Sequence, residues 1–140
     1  MGLKLLAMLT FFGLVACANS GRERQSGFND FVFTTNIRVP SECRDLQMDF
    51  DRGMGSEEQK IHCVLSLPNA MSLAKKLTGK EARSGYWPYL YKGERDPRWW
   101  TVSREGHFFG ASWTDGKSFR RILISTKGDE SEVWISVGHI

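Results

Sequence analysis

From residue 31 onward, apolar and polar positions alternate with a period of two along most of the chain, and a helical period replaces that alternation only once. Phe31, Phe33, Thr35, Ile37 and Val39 alternate with Val32, Thr34, Asn36 and Arg38 as far as Pro40. β-branched and aromatic residues at that spacing predict a strand with one face on a core. Leu46, Met48 and Phe50 alternate with Asp45, Gln47, Asp49 and Asp51, which predicts a second strand, at a sheet edge, whose acidic outer face is solvated. Arg52-Gly53-Met54-Gly55 breaks the pattern into a loop, and Ile61, Cys63, Leu65 and Leu67 form the inner face of a third strand. After Pro68 the period changes. Asn69 is a suitable N-cap, and Ala70, Leu73, Ala74 and Leu77 fall at i, i+3, i+4 and i+7, so one apolar stripe faces a core. Gly79 supplies the stop, and Lys75, Lys76 and Lys80 lie where the helix dipole favours positive charge.

Beyond Tyr86 the chain is rich in aromatics and turns. Arg98–Arg104, His107–Thr114, Ser118–Thr126 and Glu132–Val137 read as four further strands. Glu105-Gly106, Asp115-Gly116 and Lys127-Gly128-Asp129 connect them, with Asp115-Gly116 the strongest hairpin signal. The expected fold is therefore α+β: an antiparallel sheet of about six or seven strands, curved or partly closed, with one short helix packed on it.

The N-terminus has a different logic. Lys4 is followed by the uncharged apolar run Leu5–Val15 and then by small residues, which is the layout of a secretory signal. As a helix that run spans roughly 16 Å, about half of a bilayer core, too short for a permanent anchor. Leu14-Val15-Ala16-Cys17 resembles the lipobox of bacterial lipoproteins. The resemblance covers this motif and none of the mature domain. It implies cleavage before Cys17, a lipid on that cysteine and, with Ala18 behind it, sorting to the outer membrane with the domain in the periplasm. Ala16-Cys17-Ala18 also fits ordinary signal peptidase, which would release a soluble chain starting at Asn19. Residues 18–27 are polar and aperiodic, the composition of a flexible tether, and a lipid-anchored domain needs one to clear the membrane. The expected organisation is a signal peptide over 1–16, an anchored tether over 17–27 and one domain over 28–140.

Composition narrows the class. At 41% hydrophobic and 25% charged, the chain is neither disordered, collagen-like, coiled-coil nor a polytopic membrane protein. Its formal charge of +3 comes from basic and acidic residues mixed along the whole length, which argues against a nucleic-acid partner. Cys43 and Cys63 remain after processing. In an exported domain, two cysteines closing a loop of about 20 residues are expected to bond, contributing on the order of 3 kcal/mol. A metal site is not expected, because His62 and Cys63 are strand neighbours that point to opposite faces.

Catalytic chemistry leaves little trace. Gly110-Ala111-Ser112-Trp113-Thr114 lacks the second glycine of a nucleophile elbow, and His62, His107 and His139 have no zinc-ligand spacing. There is no phosphate loop, dinucleotide fingerprint or calcium loop, so no cofactor is expected. The distinctive feature is aromatic. Tyr86, Trp87, Tyr89 and Tyr91, then Arg95, Arg98, Trp99 and Trp100, lie in or beside a connection stiffened by Pro88 and Pro97. Trp and Tyr interleaved with Arg dominate protein interfaces and also form platforms for sugar rings; they serve equally to cap the open end of a small sheet. The first functional reading is a non-enzymatic envelope lipoprotein that binds another envelope or secreted protein as an inhibitor, immunity factor or assembly accessory. The second is a cell-wall or polysaccharide binder using the aromatic strip. The third is a small hydrolase whose acidic catalysts carry no local motif.

Mass spectrometry of the protein purified from membranes is expected to show an acylated N-terminal Cys17 and the loss of two hydrogens from oxidation of Cys43 and Cys63. A lipid-free chain starting at Asn19 would overturn the first expectation. Two labelable thiols in oxidising buffer would overturn the second.

Overall fold

Short turns and a single cross-pairing determine the strand order. In the computed structural model, which describes residues 37–52, 55–90, 92–102 and 106–140, the elements are β1 (Arg44–Arg52), β2 (Glu57–Ser66), α1 (Leu67–Thr78), β3 (Arg83–Ser84), β4 (His107–Thr114), β5 (Ser118–Lys127) and β6 (Glu130–His139). The signal segment, the tether, Cys17, Tyr91 and the first expected strand up to residue 36 lie outside the described residues. β4 and β5 are joined at Asp115-Gly116, where the Asp115 carboxylate accepts from Lys117 N (2.8 Å) and Ser118 N (2.6 Å) and Gly116 takes φ +87°. β6 folds back on β5 and pairs on its other side with β2, along Glu57↔His139 to Ser66↔Glu130. The result is a six-stranded antiparallel sheet in the order β1-β2-β6-β5-β4-β3. It is open, with β1 at one edge and the two-residue β3 at the other. β1 carries a bulge between Arg44 and Gln47, with Asp45 at φ +52°.

The helix starts earlier than Asn69. Ser66 is the N-cap and its hydroxyl accepts from Asn69 N at 3.4 Å, so Leu67 belongs to the helix and not to the strand. Pro68 does not delay the start, because a first-turn residue has no intrahelical partner for its N–H in any case. At the other end Gly79 takes φ +71° and its N–H donates to Lys75 O at 2.8 Å, closing the helix as expected. Ala70, Leu73, Ala74 and Leu77 pack on one face of the sheet, against Ile61, Cys63 and Leu65 of β2, Ile122 and Ile124 of β5, and Val133, Ile135 and Val137 of β6. Each large aliphatic side chain sealed there contributes about 1.5–3 kcal/mol.

The opposite face has its own cover, and here residues 98–102 of the expected strand over Arg98–Arg104 form no strand, while Ser103 and Arg104 lie outside the described residues. Residues 98–102 are turn and coil: Trp100 N donates to Pro97 O (3.0 Å) and Thr101 N to Trp99 O (2.8 Å). The reason is burial. Trp100 has no exposed surface and sits with Leu90, Leu123 and Trp134 in a second apolar cluster, its ring edge-on to Trp134 at 5.6 Å. Placing the indole under the sheet outweighs the β-propensity of the Arg-Trp-Trp-Thr-Val run. The same segment is pinned by charge. Asp96 forms an ion pair with Lys60 of β2; the side chains are only 6% and 10% exposed, and the Lys60 ammonium also lies 5.4 Å from the Trp100 ring centre.

Asp96→Ala leaves the nearly sealed Lys60 ammonium with Glu58 alone, 3.5 Å away, in place of two carboxylates. It is therefore expected to cost about 3 kcal/mol in urea unfolding, the low end for breaking a buried pair, and the double variant Lys60→Met/Asp96→Leu is expected to recover part of that loss.

Candidate functional site

Side-chain size along the central strand β6 creates a hollow on the face opposite the helix. Trp134, Ser136 and Gly138 follow one another there, and cross-strand register sets each in a row: His62, Trp134 and Leu123; then Lys60, Ser136 and Arg121; then Glu58, Gly138 and Phe119. The first row is the one that Trp100 and Leu90 cover. The next two narrow to a hydroxymethyl and a hydrogen at their centres. Gly138 is required: a Cβ there would stand 2.2 Å from Glu57 O and 2.8 Å from Phe119 Cζ. Above these rows lies a cavity of about 200 Å³, lined among others by Glu58, Lys60, Arg121, Ser136, Tyr89 and Ile140.

The polar groups of the hollow are unequally partnered. Ser136 Oγ donates to Glu58 Oε1 at 2.5 Å, and Glu58 Oε2 lies 3.5 Å from Lys60 Nζ. Lys60 thus has two carboxylates, Glu58 and Asp96. The Arg121 guanidinium instead lies over the Phe119 ring, 4.5 Å from its centre, and has no carboxylate partner among the described residues. Tyr89 closes one margin with φ +55° and 72% of its surface exposed. A left-handed conformation is unfavourable for a bulky side chain, and such strain persists where the surrounding structure imposes it.

The expected aromatic strip is divided among different tasks. Trp100 is core. Trp99 is half-buried with its ring edge-on to Trp100 at 5.9 Å, and Trp87 is half-buried edge-on to Phe108 at 5.9 Å. Tyr86 is half-buried, its hydroxyl 2.7 Å from Ser112 Oγ and the Arg83 guanidinium 4.7 Å from its ring centre. It borders a separate hollow of about 320 Å³ beside Lys80, Arg83 and Ser112. Arg95 and Arg98 are exposed, and among the described residues of the strip only Tyr89 reaches the hollow described above with an exposed ring. Glu58, Lys60, Phe119, Arg121 and Ser136 are site residues that no local motif marks. The available signal was the polar face of β2 combined with the shrinking Trp134, Ser136, Gly138 series, but it becomes meaningful only once β2 and β6 are known to pair.

Two further groups carry chemistry. His62 is buried and stacks on Trp134 at 3.9 Å; its Nδ1 lies 3.1 Å from Gln47 Oε1. Its Nε2 has no hydrogen-bond partner among the described residues and lies 3.9 Å from Glu132 Oε1. Burial holds its pKa below the ordinary histidine value, with Glu132 and then Asp45 pulling the other way. Cys43 and Cys63 are both free thiols in this structure, with their sulfurs 2.7 Å apart on the helix side. The Cys63 S–H donates to Cys43, which lowers the Cys43 pKa and, together with burial, pushes that of Cys63 well up. Cys63 and His62 thus lie on opposite faces. Among the described residues no three His, Cys, Asp or Glu side chains gather to hold a metal ion, and no helix is long and apolar enough to cross a membrane.

Comparison of the chain with protein families, with curated proteins and with solved structures finds no match.

A histidine with a depressed folded pKa binds its proton more readily when unfolded. Its contribution to stability is complete above the unfolded value of 6.5 and is lost as pH falls through the lower folded value. Urea unfolding at about pH 7.5 and pH 5 is expected to show a larger acid loss for the wild type than for His62→Gln.

Proposed function

We propose that this protein is a small exported, lipid-anchored binding protein with a non-enzymatic role, engaging another envelope or secreted protein as an inhibitor, immunity factor or assembly accessory. The observation that carries this reading is the placement of exposed apolar surface. Among the described residues Tyr89 and Ile140 are the large hydrophobics left exposed, at 72% and 75%, and both line the same charged hollow. Aromatic anchors beside a desolvated pocket are the usual high-energy contacts of a protein interface. The polysaccharide reading has less support, because sugar platforms need open ring faces. The rings of Trp87, Trp99 and Trp100 are engaged edge-on with aromatic neighbours, and among the described residues of the strip Tyr89 is the exposed ring. A hydrolytic role would need two carboxylates flanking a substrate gap. The two nearest the hollow, Glu58 and Asp96, converge on Lys60 instead.

The lipid anchor on Cys17 and a bond between Cys43 and Cys63 belong to the same reading. A staple near the start of β1 holds an edge strand in an oxidising compartment, and the sulfurs are already adjacent.

Tyr89→Gly separates binding from folding. Relief of the left-handed strain offsets the flexibility glycine adds, so unfolding free energy is expected to change by less than about 1 kcal/mol. Loss of the ring is expected to weaken capture of a partner from envelope extracts by about 2 kcal/mol or more. Capture unchanged by the substitution, or retention of purified peptidoglycan in place of any protein, would overturn the reading.

A further inference from the structure

We propose that the hollow between Tyr89 and Ile140 receives an acidic side chain of the partner protein, whose carboxylate is taken by Arg121; the inference rests on the binding role proposed above. The argument starts with how Arg121 is held. Its guanidinium lies over the Phe119 ring, and its five N–H donors make no hydrogen bond among the described residues. The cross-strand neighbour on β6, Ser136, offers no acceptor charge and already donates to Glu58. Lys60, at the far end of the same row, is saturated by Asp96 and Glu58 and is almost sealed. Arg121 is therefore the cation of this hollow that makes no ion pair among the described residues.

Geometry then selects the chemistry. A planar fork of N–H donors matches a carboxylate by two parallel hydrogen bonds. The space is about 200 Å³, below the 300–1,000 Å³ usual for pockets that enclose whole drug-sized ligands, and suits one inserted side chain. Tyr89, Leu90, Phe119 and Ile140 contribute apolar surface to its lining, and a charged hydrogen bond made beside them is strengthened. An aspartate or glutamate meets these conditions, with its methylene stem against Tyr89. A lysine or arginine would bring a second unmatched cation beside Arg121.

The test uses the full chain, isotope-labelled, with N-acetylglutamate N-methylamide as probe, its glutamine analogue, and N-acetylmuramic acid. The acidic probe is expected to give saturable NMR shifts at the Arg121 side-chain N–H and at Tyr89. The glutamine analogue, and the acidic probe on Arg121→Gln, are expected to bind at least tenfold more weakly. Arg121→Lys, which keeps the charge and loses the fork, is expected to fall between, with the thermal midpoint of each variant confirming that it folds. Equal binding to wild type and Arg121→Gln, or no saturable shift, overturns the proposal. Tenfold tighter binding of N-acetylmuramic acid overturns the acidic-protein occupant in favour of a carboxylated glycan. If capture of an envelope partner depends on Tyr89 but not on Arg121, the carboxylate inference fails and the binding role stands. If capture depends on neither residue, the binding role fails as well.

Discussion

An antiparallel sheet with apolar side chains on both faces needs cover on both, and the described residues supply one helix. That constraint shapes the rest of the molecule. β6 is buried along nearly its whole length, with Val133, Ile135 and Val137 under the helix and Trp134 on the other side. With the helix committed to the first face, the long connection between β3 and β4 must seal the second. It does so by burying Trp100 against Trp134 and by tying Asp96 to Lys60. The two contacts reinforce each other: the indole excludes water from the ion pair, and the pair holds the segment that carries the indole.

A cover made of irregular chain is never as complete as one made of a helix, and the incompleteness has a definite place. It stops where β6 loses its side chains, at Ser136 and Gly138, and there the hollow opens with Tyr89 and Ile140 at its margins. The same connection therefore closes a core and presents a surface. Buried Trp100 and exposed Tyr89 are eleven residues apart in it, and the strained backbone of Tyr89 is the cost of turning that ring outward while its neighbours Pro88 and Leu90 stay buried. Binding residues on a segment anchored at both a ring and an ion pair lose little freedom when a partner arrives.

The two faces also divide the chemistry of the molecule. Cys43 and Cys63 lie with the helix-side core near the start of β1, where a bulge brings the lead-in of the strand back over β2. His62, one residue away in sequence, lies under the aromatic cover with its Nε2 unpaired among the described residues. The strand period keeps thiol and imidazole apart, so each answers to its own surroundings: the thiols to each other, the histidine to burial and Glu132.

The sequence by itself determined what depends on local periodicity. The alternation at Leu46-Met48-Phe50, the stripe from Ala70 to Leu77, the stop at Gly79 and the Asp115-Gly116 hairpin each carry their own physical cause within a few residues, and each stands in the structure. Ser66, not Asn69, caps the helix, because proline is compatible with a first turn and lets the helix begin at Leu67. Tertiary structure alone decided the rest. Whether Arg98–Arg104 was a strand or a cover depended on an empty apolar face elsewhere in the chain, and Trp100 went where the most area could be buried. The hollow likewise combines Glu58 and Lys60 of β2, Arg121 of β5 and Tyr89 of the connection, residues that only the β2–β6–β5 register brings together. No pattern within one segment encodes such a set, because long-range pairing is settled by the balance of burial over the whole sheet.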